Sequence, residues 1–166
     1  MQTQRTIHLH TFLDKLDRQA ADLFSRYGLL ALRISLGINF IWFGLLKFLP
    51  NLSPAEELAG QTLLMLSQGT LQPTESLPIL AICETAIGIG LIFGRPLRLV
   101  LILLFMHMAG TMTPLFLFPS EIFADGFFAL TLEGQYIIKN LVLASAGLVL
   151  GSTIRGGRLT ATPPKD

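Results

Sequence analysis

The chain has 166 residues, of which 51% are hydrophobic and 14% charged, and its net charge is +1. Soluble domains carry about a quarter of their residues as Asp, Glu, Lys or Arg, so this composition excludes an ordinary water-facing surface and equally excludes a disordered chain. A single cysteine, Cys83, excludes an intramolecular disulfide, a CxxC pair and a cysteine-built zinc site, and without a basic face with interleaved aromatics nucleic-acid binding is not supported.

From about Thr6 to Tyr27, residues Leu9, Phe12, Leu13, Leu16, Ala20, Leu23 and Phe24 recur at helical spacing among basic residues. That pattern predicts an amphipathic surface segment over 1–27, lying on the cytoplasmic face of a membrane. A bilayer core about 30 Å thick needs roughly 20 apolar residues of helix, and four runs meet that length: 28–49, closed by Pro50; 77–94; 97–118, between Pro96 and Pro119; and 135–154, ahead of Gly156 and Gly157. None reads as a removable signal peptide. In the loop after the first run, Ser53, Pro54 and Glu56 read as N-cap, first-turn proline and capping-box carboxylate of a helix reaching about Ser67, whose leucines would form a lid.

The predicted fold class is therefore all-α, an integral membrane four-helix bundle over 28–155 with a cytoplasmic tail over 156–166. Arg5, Lys15, Arg18, Arg26, Arg95, Arg98, Arg155, Arg158 and Lys165 fall in the N-terminal segment, the turn between the second and third spans, and the tail, whereas the other two loops contain no Lys or Arg. Basic residues are retained on the cytoplasmic side, which predicts both termini inside, and Glu56, Glu57, Glu75, Glu121, Asp125 and Glu133 outside.

Each run contains polar groups that a plain anchor would lack. Arg33, Gly37, Phe40, Gly44 and Lys47 form one helical stripe in the first span, its glycines fit for close helix approach. Arg33, Lys47 and Lys139 could also snorkel to the headgroups. Glu84 lies too deep to snorkel, with Gly88 one turn along the same face and Gly90 and Gly94 as a small-residue pair beside it. His107 stands near the midplane, with Gly110, Thr111 and Pro114 on its side, and Pro114 should kink that helix and free a carbonyl. Lys139 and Asn140 sit near the outer end of the fourth span, where Asn140, Ala144, Gly147 and Gly151 line a seam. Antiparallel threading brings Lys47, Glu84 and Lys139 to similar depths with His107 below. An unpaired charge in lipid costs several kcal/mol, so the expectation is a cluster with Glu84 between one or both lysines and His107 bonded nearby. Such a cluster either locks the bundle or lines a polar pocket for an anion, a quinone headgroup or a proton relay.

Other chemistry finds no support. His8 and His10 fall at the opposite end from His107, so no metal site is expected, and Cys83 reads as a packing residue. No phosphate loop, dinucleotide fingerprint or serine-hydrolase elbow is present. A redox cofactor would have to be diffusible, such as quinone, or carried by a partner.

The order Arg33-x3-Gly37-x2-Phe40-x3-Gly44-x2-Lys47, then Glu84-x3-Gly88 ending in Gly94-Arg95 with a short basic turn, resembles the DoxX family of small four-helix membrane proteins over about residues 28–155. The segment Thr113-Pro114 and the run Glu133 to Asn140 are similar to the neighbouring YkgB-like inner-membrane proteins, one of which is linked to reactive-chlorine resistance. The DoxX name derives from membrane subunits of an archaeal thiosulfate:quinone oxidoreductase. The resemblance thus implies an accessory role in quinone-linked redox chemistry or redox-stress defence in the inner membrane. It carries over no catalytic residue; Arg33, Lys47 and Glu84 match recurring charged positions only. Two other classes fit the same residues: a small-molecule or proton-coupled transporter, and a non-catalytic scaffold binding other membrane subunits through its glycine seams. A homo-oligomer is compatible with each.

Overall fold

The computed structural model describes residues 2–50, 52–53, 55–124, 128–157 and 159, with side chains from residue 12 onward. Pro54, Asp125, Arg158 and Lys165 lie outside the described residues, as do the side chains of Arg5, His8, Leu9 and His10. In chain order the elements are α1 (Gln2–Leu46), α2 (Glu56–Leu66), α3 (Pro73–Phe93), α4 (Leu97–Met112), α5 (Pro114–Leu117), α6 (Pro119–Ile122), α7 (Leu132–Ser152) and a 3-10 turn at Ile154–Gly156. Four stretches, Phe12–Leu46, Pro73–Phe93, Leu97–Leu117 and Leu132–Ser152, are long and apolar enough to cross a membrane. The chain is an all-α, multi-pass membrane helical bundle.

The principal crossing is α1 on α3, and it is made of glycine. A Cβ at Gly88 would stand 2.6 Å from the Gly37 carbonyl oxygen and 2.7 Å from the Ile41 nitrogen, and one at Gly44 would stand 2.9 Å from the Thr85 nitrogen. Backbone atoms cannot yield to a methyl group, so only glycine lets the two helices approach this closely. On the other side α7 packs on α4, with Gly147 against the side chains of Leu104 and Phe105.

Element ends differ from the hydropathy limits for local reasons. Helix α1 runs unbroken through Tyr27 and Gly28, so the boundary expected there between a surface segment and the first span is not a helix end. At its far end α1 stops at Leu46 rather than Leu49. A proline in a helix clashes with the carbonyl four residues back, which for Pro50 is that of Leu46. The chain tightens there into i→i+3 bonds, from Lys47, Phe48 and Leu49 to Gly44, Leu45 and Leu46, each 3.2 Å. Helix α3 starts four residues before the apolar run, at Pro73, because Gln72 and Glu75 form a capping box ahead of it. Helix α7 starts at Leu132, its Gly134 N–H donating to the Thr131 hydroxyl at 3.1 Å. The capping box expected at Ser53 does not open α2; its N-cap is Ala55, in the left-handed region at φ 58°, with no side-chain cap.

The third span is broken, as Pro114 requires. Helix α4 ends at Met112 and α5 begins at Pro114. The Gly110 carbonyl, deprived of a donor by Pro114, accepts instead from the Thr113 N–H at 3.2 Å and the Thr113 hydroxyl at 2.6 Å.

Glu84 and Thr85 stand abreast of Gly44, two residues before α1 ends. Helix α3 continues beyond that level from Cys83 back to Pro73, about 16 Å at 1.5 Å per residue. Next to this half of α3 there is no α1, and α2 takes its place, Gly60 packing on Pro73. The buried apolar residues accordingly form two clusters. One joins Leu36, Phe40, Ile87, Leu91, Val100, Leu104 and Leu150 in the half where four long helices meet. The other joins Leu58, Ile122 and Ile137 in the half built from α2, α6 and α7.

Candidate functional site

Helix α3 brings Glu84 to the level where α1 ends, and at 5% exposure its carboxylate is shielded from solvent. Each oxygen has one donor. Lys47 Nζ lies 2.8 Å from Oε2, and His107 Nε2 lies 3.1 Å from Oε1. Lys47 is set in the tight turn after α1, and its ammonium also reaches the Phe43 carbonyl at 3.5 Å, one of those a helix C-terminus leaves without a partner. His107, midway along α4, is held edge-on by Phe40 at 5.6 Å between ring centroids. The turn after α1, helix α3 and helix α4 thus contribute one group each to a linear Lys47–Glu84–His107 array.

Lys139 does not join it. Its ammonium lies 3.9 Å from the ring centroid of Tyr136, one turn back on α7, and 4.9 Å from that of Phe43 on α1. Both Glu84 oxygens already have donors, and a second ammonium beside Lys47 would be repelled; the faces of two aromatic rings attract a cation at no such cost. Asn140 is half-buried next to it and makes no side-chain hydrogen bond to the described residues.

Lys47, Glu84, His107, Lys139 and Asn140 all line one cavity of about 420 Å³. Phe40 and Met108 of one apolar cluster and Leu58 and Ile137 of the other also line it, which places it between them. Its wall is mostly apolar, with Ala59, Thr62, Leu63 and Leu66 of α2 on one side and Gly110, Thr111 and Pro114 around the break in the third span on another. The space exists because two of the four long helices are interrupted here, α1 at Leu46 and α4 at Met112, and short helices fill the gap incompletely.

Arg33 stands apart, at the opposite end of the α1–α3 crossing. Its guanidinium covers Gly94, whose φ of +72° and lack of Cβ leave room for it, and Arg33 Nε is buried without a hydrogen-bond partner among the described residues. Gly37, Gly44 and Gly88 are used in the crossing itself and Gly147 against α4, so these glycines face the protein's own helices.

Ser76 escaped sequence reasoning. It is 2% exposed, its hydroxyl has no hydrogen-bond partner among the described residues, and it lines the same cavity. The sequence did carry a signal: Ser76, Leu80 and Glu84 recur every four residues, so they share a face of α3. Phe43 and Tyr136 were also passed over, because ordinary aromatic packing explains them until a lysine is seen on their faces.

Among the described residues no group of three His, Cys, Asp or Glu side chains could hold a metal ion. The model of the DoxX family matches residues 28–119, more than half of the chain, from within α1 to the start of α6. No curated protein and no solved structure matches.

Proposed function

Because the chain belongs to the DoxX family, we propose that it is an accessory membrane subunit in quinone-linked redox chemistry or redox-stress defence, and that its cavity holds a quinone headgroup. The observation that carries this reading is the Lys47–Glu84–His107 array on the wall of an otherwise apolar cavity of about 420 Å³. Ligand sites combine such a wall with a few convergent polar groups. A quinone fits both parts, as its ring and tail are apolar and its two carbonyl oxygens accept hydrogen bonds. Its reduced form carries protons on the same oxygens, and Glu84 with His107 is a carboxylate–imidazole pair able to exchange them. Electrons would come from a partner subunit, since the chain carries no fingerprint of a tightly held redox cofactor.

In the same reading the chain sits in the inner membrane with both termini cytoplasmic, which places the cavity in the outer half of the bundle and α2 on its outward side. The likeness of the Thr113-Pro114 and Glu133 to Asn140 segments to YkgB-like proteins supports the redox-stress branch. The rival scaffold reading loses support because Gly37, Gly44, Gly88 and Gly147 are occupied by intramolecular contacts. A transporter would need the cavity to open alternately to both sides, for which Pro114 is the one evident joint.

Cys83 gives the test. It is the chain's single cysteine, half-buried, and it lines the cavity. In purified protein, a decyl-substituted benzoquinone with a fully substituted ring should slow alkylation of Cys83 by a small maleimide, and Glu84→Gln should weaken that protection. An alkylation rate unaffected by any quinone, together with the absence of quinone from solvent extracts of the purified protein, would exclude the reading.

A further inference from the structure

Besides Cys83 and Tyr136, the ionisable side chains that line the cavity are Lys47 from the turn after α1, Glu84 from α3, His107 from α4 and Lys139 from α7. Helix α2 contributes none to the wall. Lys47 and Glu84 cancel each other at 2.8 Å, and His107 Nε2 satisfies the remaining carboxylate oxygen at 3.1 Å. Lys139 has no carboxylate within ion-pair distance among the described residues. The rings of Tyr136 and Phe43 fix its position without neutralising it, since a ring quadrupole attracts a cation but carries no net charge. Lys139, itself exposed, therefore brings to the cavity a positive charge that no carboxylate among the described residues neutralises.

A second observation has the same sense. The Ser76 hydroxyl, buried at 2% exposure on the cavity wall, lacks a partner among the described residues. A buried polar group left unpaired is disfavoured, and an acceptor-rich ligand would satisfy it. The cation without a counter-charge calls for a group bearing negative charge, and the hydroxyl for an acceptor, both on a body that suits the apolar remainder of the wall.

We propose that the cavity selects ligands with a singly ionised acidic headgroup on an apolar body, and that Lys139, held over Tyr136 and Phe43, makes that selection. This rests on the reading of the cavity as a ligand site and names the charge class of its occupant. For a quinone it means preference for the anionic form of the headgroup over the neutral one.

The test compares an alkyl hydroxynaphthoquinone, ionised at neutral pH, with its neutral O-methyl ether, and dodecanoate with its methyl ester, each by protection of Cys83 in the full chain. The acid of each pair should bind about tenfold more tightly or better, a difference of one decade in Kd. Lys139→Gln should abolish that preference while leaving the affinity for the ether unchanged, and Lys139→Arg should retain it. Equal affinities within both pairs, or a preference that survives Lys139→Gln, would overturn the proposal. If dodecanoate protects and neither quinone does, anion selection stands and the quinone reading falls. If no probe protects, both fall.

Discussion

Glu84 has two oxygens and each has a single donor, from Lys47 and from His107. Removing the carboxylate leaves an ammonium and an imidazole N–H facing each other across a buried gap, and truncating one partner of a buried pair typically costs about 3–5 kcal/mol. Glu84→Ala should lower the stability of the purified protein by roughly that amount. Glu84→Gln keeps one acceptor oxygen and a hydrogen-bonding shape, so it should lose about half as much. Equilibrium unfolding in micelles distinguishes the two, and identical midpoints for both variants and the parent would mean the array contributes nothing to stability. At this scale depth was legible and direction was not. Counting residues from the span ends placed Lys47, Glu84, His107 and Lys139 at related levels. Whether a side chain at a given level turns toward its neighbours depends on how each helix is rotated about its axis. For α7 that rotation sets Lys139 on Tyr136 and Phe43 instead of on Glu84.

Two proline-dependent interruptions shape the elements around the cavity. Pro50 ends α1 level with Glu84, and Pro114 divides the third span, with Thr113 supplying both donors to the stranded Gly110 carbonyl. Thr113→Val deletes the hydroxyl and should cost about 1 kcal/mol, a typical net value for one hydrogen bond. In a Pro114→Ala background the backbone N–H restored at that position can bond the Gly110 carbonyl directly, so the same change should cost close to nothing. A double-mutant cycle measures the difference, and equal costs in the two backgrounds would show that the Thr113 hydroxyl does not substitute for the missing donor. The break was readable from the sequence, as a proline between apolar runs has few other outcomes. The starts of α3 and α7 were misplaced by three to four residues, since hydropathy registers lipid-compatible residues whereas a helix begins at its cap, here Gln72 with Glu75 and Thr131.

At the scale of the whole molecule, Phe93, Phe116, Met106, Val142 and Leu148 are all more than 60% exposed. In water such a surface would aggregate; in a bilayer it is the ordinary lipid-facing exterior, and only the seams between helices need to bury anything. Orientation is a separate matter, set by charge. With basic residues in the N-terminal segment, the turn after α3 and the tail, and none in the other two loops, a C-terminal fluorescent-protein fusion should fluoresce and a C-terminal alkaline-phosphatase fusion should be inactive, because the former folds in the cytoplasm and the latter outside it. The opposite result would invert the bundle and put the cavity on the cytoplasmic side.

The sequence by itself determined that this is a membrane protein of four apolar helices, because a bilayer imposes length and hydropathy residue by residue, with no need for neighbours. It also determined that Glu84, too deep to snorkel, needs a partner inside, because lipid offers it none. The tertiary structure alone decided which pairs formed, that α2 takes the place of α1 beyond Leu46, and that a cavity remains between the two apolar clusters. Those outcomes depend on the relative rotation and lengths of helices distant in the chain, and the glycine contacts of Gly37, Gly44 and Gly88 that fix α1 against α3 exist only once both helices are formed.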